Sequence, residues 1–211
     1  MDYLAVKGEN ATVTNQNADY VIKIEPKDNG PLFCELHFYT NCGKEADCKL
    51  RKIIWFYFKS FFSLSLSQVN NFIKSYRLKH LGVPRSIASG LCEYKNKEYR
   101  FLVMDRYSKD LRSFFTENQN KLNENIVLYL TRQILYALEY IHSKGYAHAD
   151  IKGANLMLKN DKQVYLVDYG LANRYSRDGS HQVYVQKPDA KHNGTIEYTS
   201  RDAHDGVRKF S

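Results

Sequence analysis

The chain has 211 residues, 43% hydrophobic and 26% charged, which allows one or two modest domains with a real core and excludes a disordered protein. Its net charge of +8 favours acidic partners such as nucleotides, nucleic acid or acidic peptides, and is equally typical of a basic solvated surface. The four cysteines lack paired spacing, which excludes a disulfide scaffold and favours a reducing compartment. The sequence after Met1 is polar, which predicts no signal peptide.

The first part of the chain predicts two strands and a helix. β-like runs at residues 3–6 and 20–24 flank a polar stretch rich in Asn and Thr. Lys23 lies in the second run, so its side chain can project from a strand into a cleft. Residues 31–39 have a proline near the first turn and apolar residues on one face, which predicts a helix that carries Glu35. Taken alone, both charged residues would more often be ordinary surface residues.

Residues 48–68 differ from the sequence around them. The apolar run within them is too short to span a bilayer and is interrupted by Lys59. Alternating Phe, Ser and Leu are poor helix-forming material. The run Phe-Phe-Ser-Leu-Ser-Leu-Ser-Gln is what a pyrimidine tract ending in CAG encodes, and the Cys-Lys at its start can be written with a splice-donor-like GTAAG. We interpret the segment as translated intron rather than a designed insertion, and when exposed it would be an aggregation hazard.

A hairpin and a long helix follow. Residues 90–107 predict two strands joined by a turn at residues 95–97. Residues 125–142 predict a helix with Asn123 as its N-cap. Apolar residues recur along it at three- and four-residue steps and are expected to face the core, namely Val127, Leu130, Ile134, Leu138 and Ile141.

The most informative stretch begins with a second hairpin. β-like runs at residues 156–158 and 163–167 flank a polar turn at residues 159–162. Asn155 comes just before this hairpin and Asp168 just after it, so the two residues should meet at its open end. An amide oxygen and a carboxylate are hard ligands of the kind that Mg²⁺ takes when phosphates supply the rest.

Asp150 and Lys152 lie one short loop before that hairpin. They would place a base beside a nucleophile and a cation beside a phosphoryl group, which predicts phosphoryl transfer. The pattern His-x-Asp-x-Lys-x-x-Asn over residues 148–155, followed by Asp-Tyr-Gly over residues 168–170, resembles the catalytic loop and metal-binding turn of the protein kinases. A chance hairpin with solvated charges would explain a lone Asp-x-Lys, but not five polar residues at this spacing.

Four longer stretches resemble the vaccinia-related kinase family, which sits beside the casein kinase group of Ser/Thr kinases. They are residues 23–36, 78–84, 165–172 and 193–204. Only residues 48–68 fall outside the resemblance, and their removal restores the family's spacing between the Glu35 helix and Leu78. The resemblance implies an α+β, two-lobe protein-kinase-like fold. Residues 1–107 would form a partial β-rich N-lobe with the hinge, and residues 108–211 a partial helical C-lobe.

The resemblance also implies ATP and Mg²⁺ as cofactors. Asp150 would be the catalytic base, Lys152 would contact the γ-phosphate, and Thr195 would help to position the substrate hydroxyl. Asn155 and Asp168 would bind the Mg²⁺ ion.

The nucleotide itself would lie against residues of both lobes. Lys23, held by Glu35, would contact the α- and β-phosphates. Around the adenine the resemblance places Val21 above the ring, Met157 below it, Met104 behind it, and the backbone from Asp105 to Tyr107 along its edge. For each of the apolar residues, plain core packing is an equally good interpretation.

Three departures from the family pattern shape our expectations. Ala149 replaces the usual Arg before the catalytic Asp, which predicts a kinase that needs no activation-segment phosphate. The segment that follows Gly170, residues 171–192, is expected to be polar and flexible. No Gly-rich loop precedes Lys23, and the sequence stops just past the 193–204 stretch. We therefore expect a truncated or mis-spliced member, incomplete at both ends, marginally stable and weakly active or inactive.

Competing functions remain open. The leading hypothesis is a Ser/Thr protein kinase that acts on protein substrates, and the alternative is a catalytically impaired kinase-like fragment that serves as a binding scaffold. A small-molecule phosphotransferase would leave Lys152 and residues 194–204 without a role. Direct nucleic-acid binding rests on charge alone. The resemblance implies nuclear or cytoplasmic residence and chromatin-associated substrates, and we expect a monomer that does not enter membranes.

Overall fold

The computed structural model describes residues 19–28, 30–42, 65–177, 180–181 and 194–204. The predicted strand at residues 3–6 and residues 48–64 of the predicted intron segment lie outside the described residues. The chain divides into two compact units. The first contains the described residues up to Leu78 together with Pro84–Arg106, and the second contains Lys79–Val83 and the described residues from Tyr107 onwards.

The first unit is built on a three-stranded antiparallel sheet. Its strands, in the spatial order β1-β3-β2, are Tyr20–Pro26 (β1), Ser86–Tyr94 (β2) and Lys97–Asp105 (β3). The predicted strand at residues 20–24 and the predicted hairpin are thus both confirmed. Lys95 and Asn96 form the hairpin turn with φ values of 49° and 58°, the backbone of a tight two-residue connection. The turn fixes the register between β2 and β3, and β1 pairs along the other edge of β3.

Among its described residues, this unit also contains two helices, Pro31–Cys42 (α1) and Ser65–Ser75 (α2). Helix α1 confirms the predicted helix, extends it to Cys42, and packs against both α2 and β3. Its buried face consists of Leu32, Glu35, Phe38, Tyr39 and Cys42. Helix α2 begins at Ser65, so the view that residues 48–68 are poor helix-forming material is wrong for the last four of them. The helical hydrogen bonding of residues 65–68 is continuous with that of residues 69–75, and this outweighs their low intrinsic helix propensity.

The second unit is organised around a long helix. After the two-residue strand Lys109–Asp110 (β4) and the helix Leu111–Glu117 (α3), the chain forms Glu124–Ser143 (α4). Asn123 caps α4 as predicted, since its side chain accepts a hydrogen bond from the Asn125 N–H at 2.9 Å. The predicted core stripe is correct at Leu130 and Ile141 and wrong at Val127, which is 43% exposed.

The core face of α4 is rotated relative to that prediction. Ala137 and Tyr140 are fully buried on it together with Leu130 and Ile141. Residues 126–129 are all apolar or aromatic and all exposed, so the first turns of the helix carry no unique apolar stripe that could mark the core side.

The predicted second hairpin is confirmed. It consists of Leu156–Lys159 (β6) and Gln163–Leu166 (β7), with β4 along the other edge of β6. The chain at Gly82 packs closely on β7: its carbonyl accepts a hydrogen bond from the Leu166 N–H at 2.8 Å. A Cβ at Gly82 would lie 2.6 Å from the Val164 carbonyl oxygen, so only glycine permits this approach.

Short strands frame the rest of this unit. Tyr146–Ala147 (β5) pairs with Asn173–Arg174 (β8), and Ser176–Arg177 (β9) pairs with Ser180–His181 (β10). The segment predicted to be flexible, residues 171–192, therefore contains paired strands, and its residues 178–179 and 182–192 lie outside the described residues. Among the helices that the structure describes, none combines the length and the apolar character needed to cross a bilayer.

Candidate active site

Lys23 and Glu35 form the ion pair expected between a strand and the following helix. Lys23 Nζ on β1 lies 2.6 Å from Glu35 Oε2 on α1, and the two side chains are 14% and 1% exposed. A carboxylate so deeply buried requires a compensating cation, because the interior replaces its hydration poorly. The pair therefore holds the ammonium group close to the surface of the sheet.

Three of the residues predicted to surround adenine belong to the first unit. Val21 lies opposite Met104 in the β1-β3 register, and Met104 is buried. The Asp105 carboxylate accepts two hydrogen bonds of 3.0 Å from Arg85, one from Nε and one from Nη2. The Arg106 N–H donates a hydrogen bond to the Asp19 carbonyl at 2.9 Å, so this N–H already has a partner within the first unit.

The other two, Tyr107 and Met157, belong to the second unit. The Tyr107 ring is buried and lies 4.7 Å from the ring of Tyr165, measured between centroids. Met157 is half-buried on β6, directly opposite Tyr165 on β7. Both residues thus line the Tyr165 side of the β6-β7 hairpin.

Asp150, Lys152 and Thr195 form a hydrogen-bonded triangle. Lys152 Nζ lies 2.8 Å from Asp150 Oδ2 and donates to Thr195 Oγ1 at 2.7 Å. The Thr195 hydroxyl in turn donates to Asp150 Oδ1 at 3.1 Å. Gly194, with φ of 100°, turns the chain so that Thr195 reaches the loop. Thr195, which was expected to help position the substrate hydroxyl, thus contacts both Asp150 and Lys152.

Asn155 completes the surroundings of the Asp150 carboxylate. Its Nδ2 donates to Asp150 Oδ2 at 2.9 Å and to the Asp150 carbonyl at 2.8 Å. Burial by itself raises the pKa of Asp150, but hydrogen bonds from Lys152, Asn155 and Thr195 and the charge of Lys152 outweigh it and hold the pKa below its usual range. The carboxylate is therefore ionised and oriented at neutral pH.

His148 connects the loop to the end of the β6-β7 hairpin. Its Nδ1 accepts a hydrogen bond from the Asp150 N–H at 3.2 Å, so Nε2 carries the proton and donates to the Val167 carbonyl at 2.9 Å. The left-handed backbone of Ala149, with φ of 65°, allows this return of the chain onto the ring. Burial lowers the pKa of His148, in keeping with a neutral ring.

Asn155 and Asp168 meet at the open end of the hairpin, as predicted. The Val167 N–H donates to the Asn155 carbonyl at 2.9 Å, which closes the hairpin one residue beyond the Leu156–Leu166 pair. Both side chains are buried, and Asp168 has a left-handed backbone with φ of 64°. Aspartate adopts this conformation more readily than most residues, and here it sets the direction of the carboxylate.

The donor set at this end of the hairpin fits Mg²⁺. Asn155 Nδ2 donates both of its hydrogen bonds to Asp150, so the amide oxygen Oδ1 is the atom of this side chain that could bind a metal ion. In the part of the chain that the structure describes, no three His, Cys, Asp or Glu residues are grouped as a metal site. Two protein oxygens completed by phosphates are the arrangement that suits Mg²⁺.

The family follows from a comparison with known sequences. The model described as "Protein kinase domain" matches residues 77–201, which is 125 of the 211 residues. The chain belongs to the protein kinase family. The match includes the whole catalytic loop, the β6-β7 hairpin and Thr195, so the hydrogen-bonded triangle lies within the kinase region of the chain.

Similar proteins are vaccinia-related kinases, which confirms the narrower resemblance. Serine/threonine-protein kinase VRK2 of Homo sapiens is 42% identical over 91% of this chain and 34% of its own length. Nucleosomal histone kinase 1 of Drosophila melanogaster is 42% identical over 92% of this chain and 29% of its own length. A probable serine/threonine-protein kinase of Fowlpox virus, FPV212, is 37% identical over 92% of this chain and 57% of its own length.

A solved structure agrees with these sequences. The structure of vaccinia related kinase 3 matches 89% of this kinase chain and 51% of its own, with a TM-score of 0.71 and 29% identity. The kinase-like fold, with a sheet-rich and a helical part, is therefore confirmed. Across the relatives named above, the chain spans between 29% and 57% of the full length.

Sequence reasoning missed two residues of this kinase site. His148 was part of the recognised pattern but had no assigned role, and the structure gives it contacts with both the catalytic loop and Val167. Arg85 was not singled out, although it binds the Asp105 carboxylate with two hydrogen bonds. No local pattern marks the His148–Val167 contact or the Arg85–Asp105 contact, because the partners are 19 and 20 positions apart in the chain.

Proposed function

We propose that this chain carries the site of an ATP-dependent serine/threonine protein kinase of the vaccinia-related type. The reaction transfers the γ-phosphoryl group of ATP to a Ser or Thr hydroxyl of a protein substrate. The observation that carries the proposal is the triangle of Asp150, Lys152 and Thr195, in which an ionised carboxylate, a cation and a hydroxyl meet at 2.7–3.1 Å. Phosphoryl transfer needs this combination of orientation and charge neutralisation more than it needs covalent chemistry.

Each residue has a separate task in this proposal. Asp150 orients the substrate hydroxyl and receives its proton; since its pKa is held low, it takes the proton late, when bond formation to phosphorus has made the hydroxyl acidic. Lys152 neutralises charge on the γ-phosphate, and Lys23, held by Glu35, contacts the α- and β-phosphates. Asn155 and Asp168 would hold Mg²⁺, which when bound neutralises phosphate charge.

The two compact units support an assignment to lobes. We propose that residues 1–107 form a partial N-lobe with the hinge and residues 108–211 a partial C-lobe. The two units divide the chain close to this boundary, between Arg106 and Tyr107, although the second unit also contains Lys79–Val83. We further propose that Val21, Met104, the backbone from Asp105 to Tyr107 and Met157 contact adenine.

The substrate class follows from relatives rather than from the site. The Drosophila relative is named Nucleosomal histone kinase 1, which supports chromatin proteins as substrates and the nucleus, with the cytoplasm, as the location. We propose that the chain acts as a monomer.

Mg-ATP binding by the full 211-residue chain tests the proposal. In titration calorimetry Asp168→Ala should lose measurable Mg-ATP affinity, whereas Asp161→Ala, in the exposed hairpin turn, should keep it. Phosphorylation of histone by the chain should vanish in Asp150→Asn. Equal Mg-ATP affinity of Asp168→Ala and the unsubstituted chain would contradict the metal assignment. A folded chain without any ATP-induced thermal shift would favour the non-catalytic scaffold.

A further inference from the structure

We propose that Glu25 is a positioning residue that fixes the start of α1 to the end of β1 and thereby delivers Glu35 to Lys23. The inference concerns the geometry of the Lys23–Glu35 pair. Only its consequence for nucleotide binding rests on the proposed function.

The Glu25 carboxylate caps the N-terminus of α1. Its Oε2 accepts a hydrogen bond from the Leu32 N–H at 2.7 Å. Pro31, the first residue of α1, has no N–H, so the Leu32 N–H is the first backbone donor of the helix without a partner inside the helix. Helix α1 has no acidic residue in its own first turn, so Glu25 supplies the negative charge that this end of the helix dipole favours.

Gly30 brings the chain close to the same carboxylate. Its φ of 77° is the left-handed conformation that glycine adopts without strain. A Cβ at this position would lie 2.8 Å from Glu25 Oε1, closer than side chains tolerate. A side chain at this position would therefore force the Glu25 carboxylate to shift, whereas glycine leaves it free to accept the hydrogen bond from the Leu32 N–H.

The cap and the ion pair form two ties between the same strand and the same helix. Lys23 and Glu25 are two positions apart on β1 and lie on one face of the strand. Leu32 and Glu35 are three positions apart on α1 and lie on one side of the helix. In one tie the strand contributes the Lys23 cation, which meets the Glu35 carboxylate. In the other it contributes the Glu25 anion, which meets the partial positive charge of the Leu32 N–H.

A single ion pair would not fix α1. The Lys23 ammonium sits at the end of a flexible four-carbon chain, so it can follow Glu35 through many helix orientations. The cap joins a side chain of the strand to the helix backbone, which fixes the axial position of α1. Together with the packing of α1 on α2 and β3, the Glu25 cap consequently keeps Glu35 within reach of Lys23.

The test measures the Lys23 amine directly, without nucleotide. The full 211-residue chain is reductively methylated with formaldehyde and cyanoborohydride, and labelling of Lys23 is quantified by peptide mass spectrometry relative to the exposed Lys121. Glu35→Gln removes the ion pair and serves as the positive control. Glu25→Ala should raise Lys23 labelling by about fivefold, the factor that a lost helix cap carries. Glu25→Gln, which keeps an acceptor oxygen, should raise it less.

A matched control separates the cap from general loss of charge. Glu98→Ala removes an exposed carboxylate that pairs with Lys27 in the same sheet, and should leave Lys23 labelling unchanged. Gly30→Ala, which pushes against Glu25 Oε1, should raise Lys23 labelling as Glu25→Ala does. Circular dichroism identifies any variant that has unfolded; if Glu25→Ala unfolds, Glu25→Gln and Gly30→Ala decide the question.

Two outcomes are distinguished. Equal Lys23 labelling in the unsubstituted chain and in folded Glu25 variants overturns the inference, whatever Glu35→Gln does. ATP affinity is measured in parallel. If Glu35→Gln leaves ATP affinity unchanged, the proposed role of the ion pair in nucleotide binding fails, while raised Lys23 labelling in Glu25→Ala still establishes Glu25 as the positioning residue.

Discussion

Thr195 and Asp150 are 45 positions apart in the chain, yet the Thr195 hydroxyl donates a hydrogen bond of 3.1 Å to Asp150 Oδ1. The opposite oxygen, Oδ2, is contacted by Lys152 and Asn155. Every oxygen of the proposed base is thus engaged. Oδ2 accepts from two groups, whereas Oδ1 accepts from Thr195 and keeps a second lone pair. A substrate hydroxyl can therefore bind at Oδ1 beside the Thr195 hydroxyl.

Substitution of Lys152 should change how the stability of the chain depends on pH. Burial raises the pKa of Asp150, and the hydrogen bonds led by Lys152 outweigh that effect, so the folded pKa lies below the unfolded one. Ionised Asp150 thus adds stability above its unfolded pKa, and this is lost as the pH falls through the folded pKa. In Lys152→Met the loss should begin at higher pH, and unfolding at neutral pH should cost about 2 kcal/mol less. Urea unfolding between about pH 3 and pH 7 measures both effects, and superimposable profiles would contradict them.

His148 should be a neutral ring with its proton on Nε2. The Asp150 N–H occupies Nδ1 and the Val167 carbonyl accepts from Nε2, while burial lowers the pKa of the ring. The unfolded chain then takes up the proton first, so this residue favours unfolding as the pH falls from about 7 towards 5. Nitrogen–proton correlation NMR of the imidazole reports the tautomer and its titration. A proton on Nδ1, or a charged ring in the folded chain near pH 6.5, would argue against the contact scheme.

The site could be predicted where its residues are close in sequence. The turn at residues 159–162 and the β-like runs beside it determine a hairpin, and the hairpin alone brings Asn155 and Asp168 to one end. The N-cap at Asn123 follows a similar short-range pattern, whereas the Lys23–Glu35 pair was expected only from the family resemblance. Contacts such as Arg85 with Asp105 could not be predicted in this way, because the partner is chosen by tertiary packing.

Helix α4 shows why the core face was harder to predict. Four consecutive residues at positions 126–129 are apolar or aromatic, so a 3.6-residue period can be drawn through several faces. The close approach of Gly82 to β7 selects the small Ala137, whose Cβ would lie 3.5 Å from a Cβ at Gly82. A small residue thus fits at this place, which a search for large aliphatic residues overlooks.

The Arg85–Asp105 contact should be energetically coupled. Two parallel hydrogen bonds of 3.0 Å to a mostly buried carboxylate are stronger than a single exposed ion pair, although the Arg85 side chain is itself 48% exposed. A double-mutant cycle of Arg85→Ala and Asp105→Ala should give a coupling energy of about 1 kcal/mol in chemical unfolding. The exposed pair Lys109–Glu117 is the matched control and should show little coupling. Equal coupling energies in the two cycles would contradict a stabilising effect of the paired hydrogen bonds between Arg85 and Asp105.

Removal of the Thr195 hydroxyl should slow phosphoryl transfer without weakening ATP binding. Thr195→Val keeps the shape of the side chain but loses the hydrogen bonds to Asp150 and Lys152, so both charged groups become less well oriented towards the substrate hydroxyl. Because Thr195 is not among the residues proposed to hold ATP, the affinity for Mg-ATP should stay the same. Single-turnover phosphorylation of a histone substrate should fall by roughly 10- to 100-fold, while Thr195→Ser, which restores the hydroxyl, should recover most of the rate. A Thr195→Val chain as fast as Thr195→Ser would show that the hydroxyl only supports the fold of the loop, and Asp150 and Lys152 would then have to orient the substrate without it.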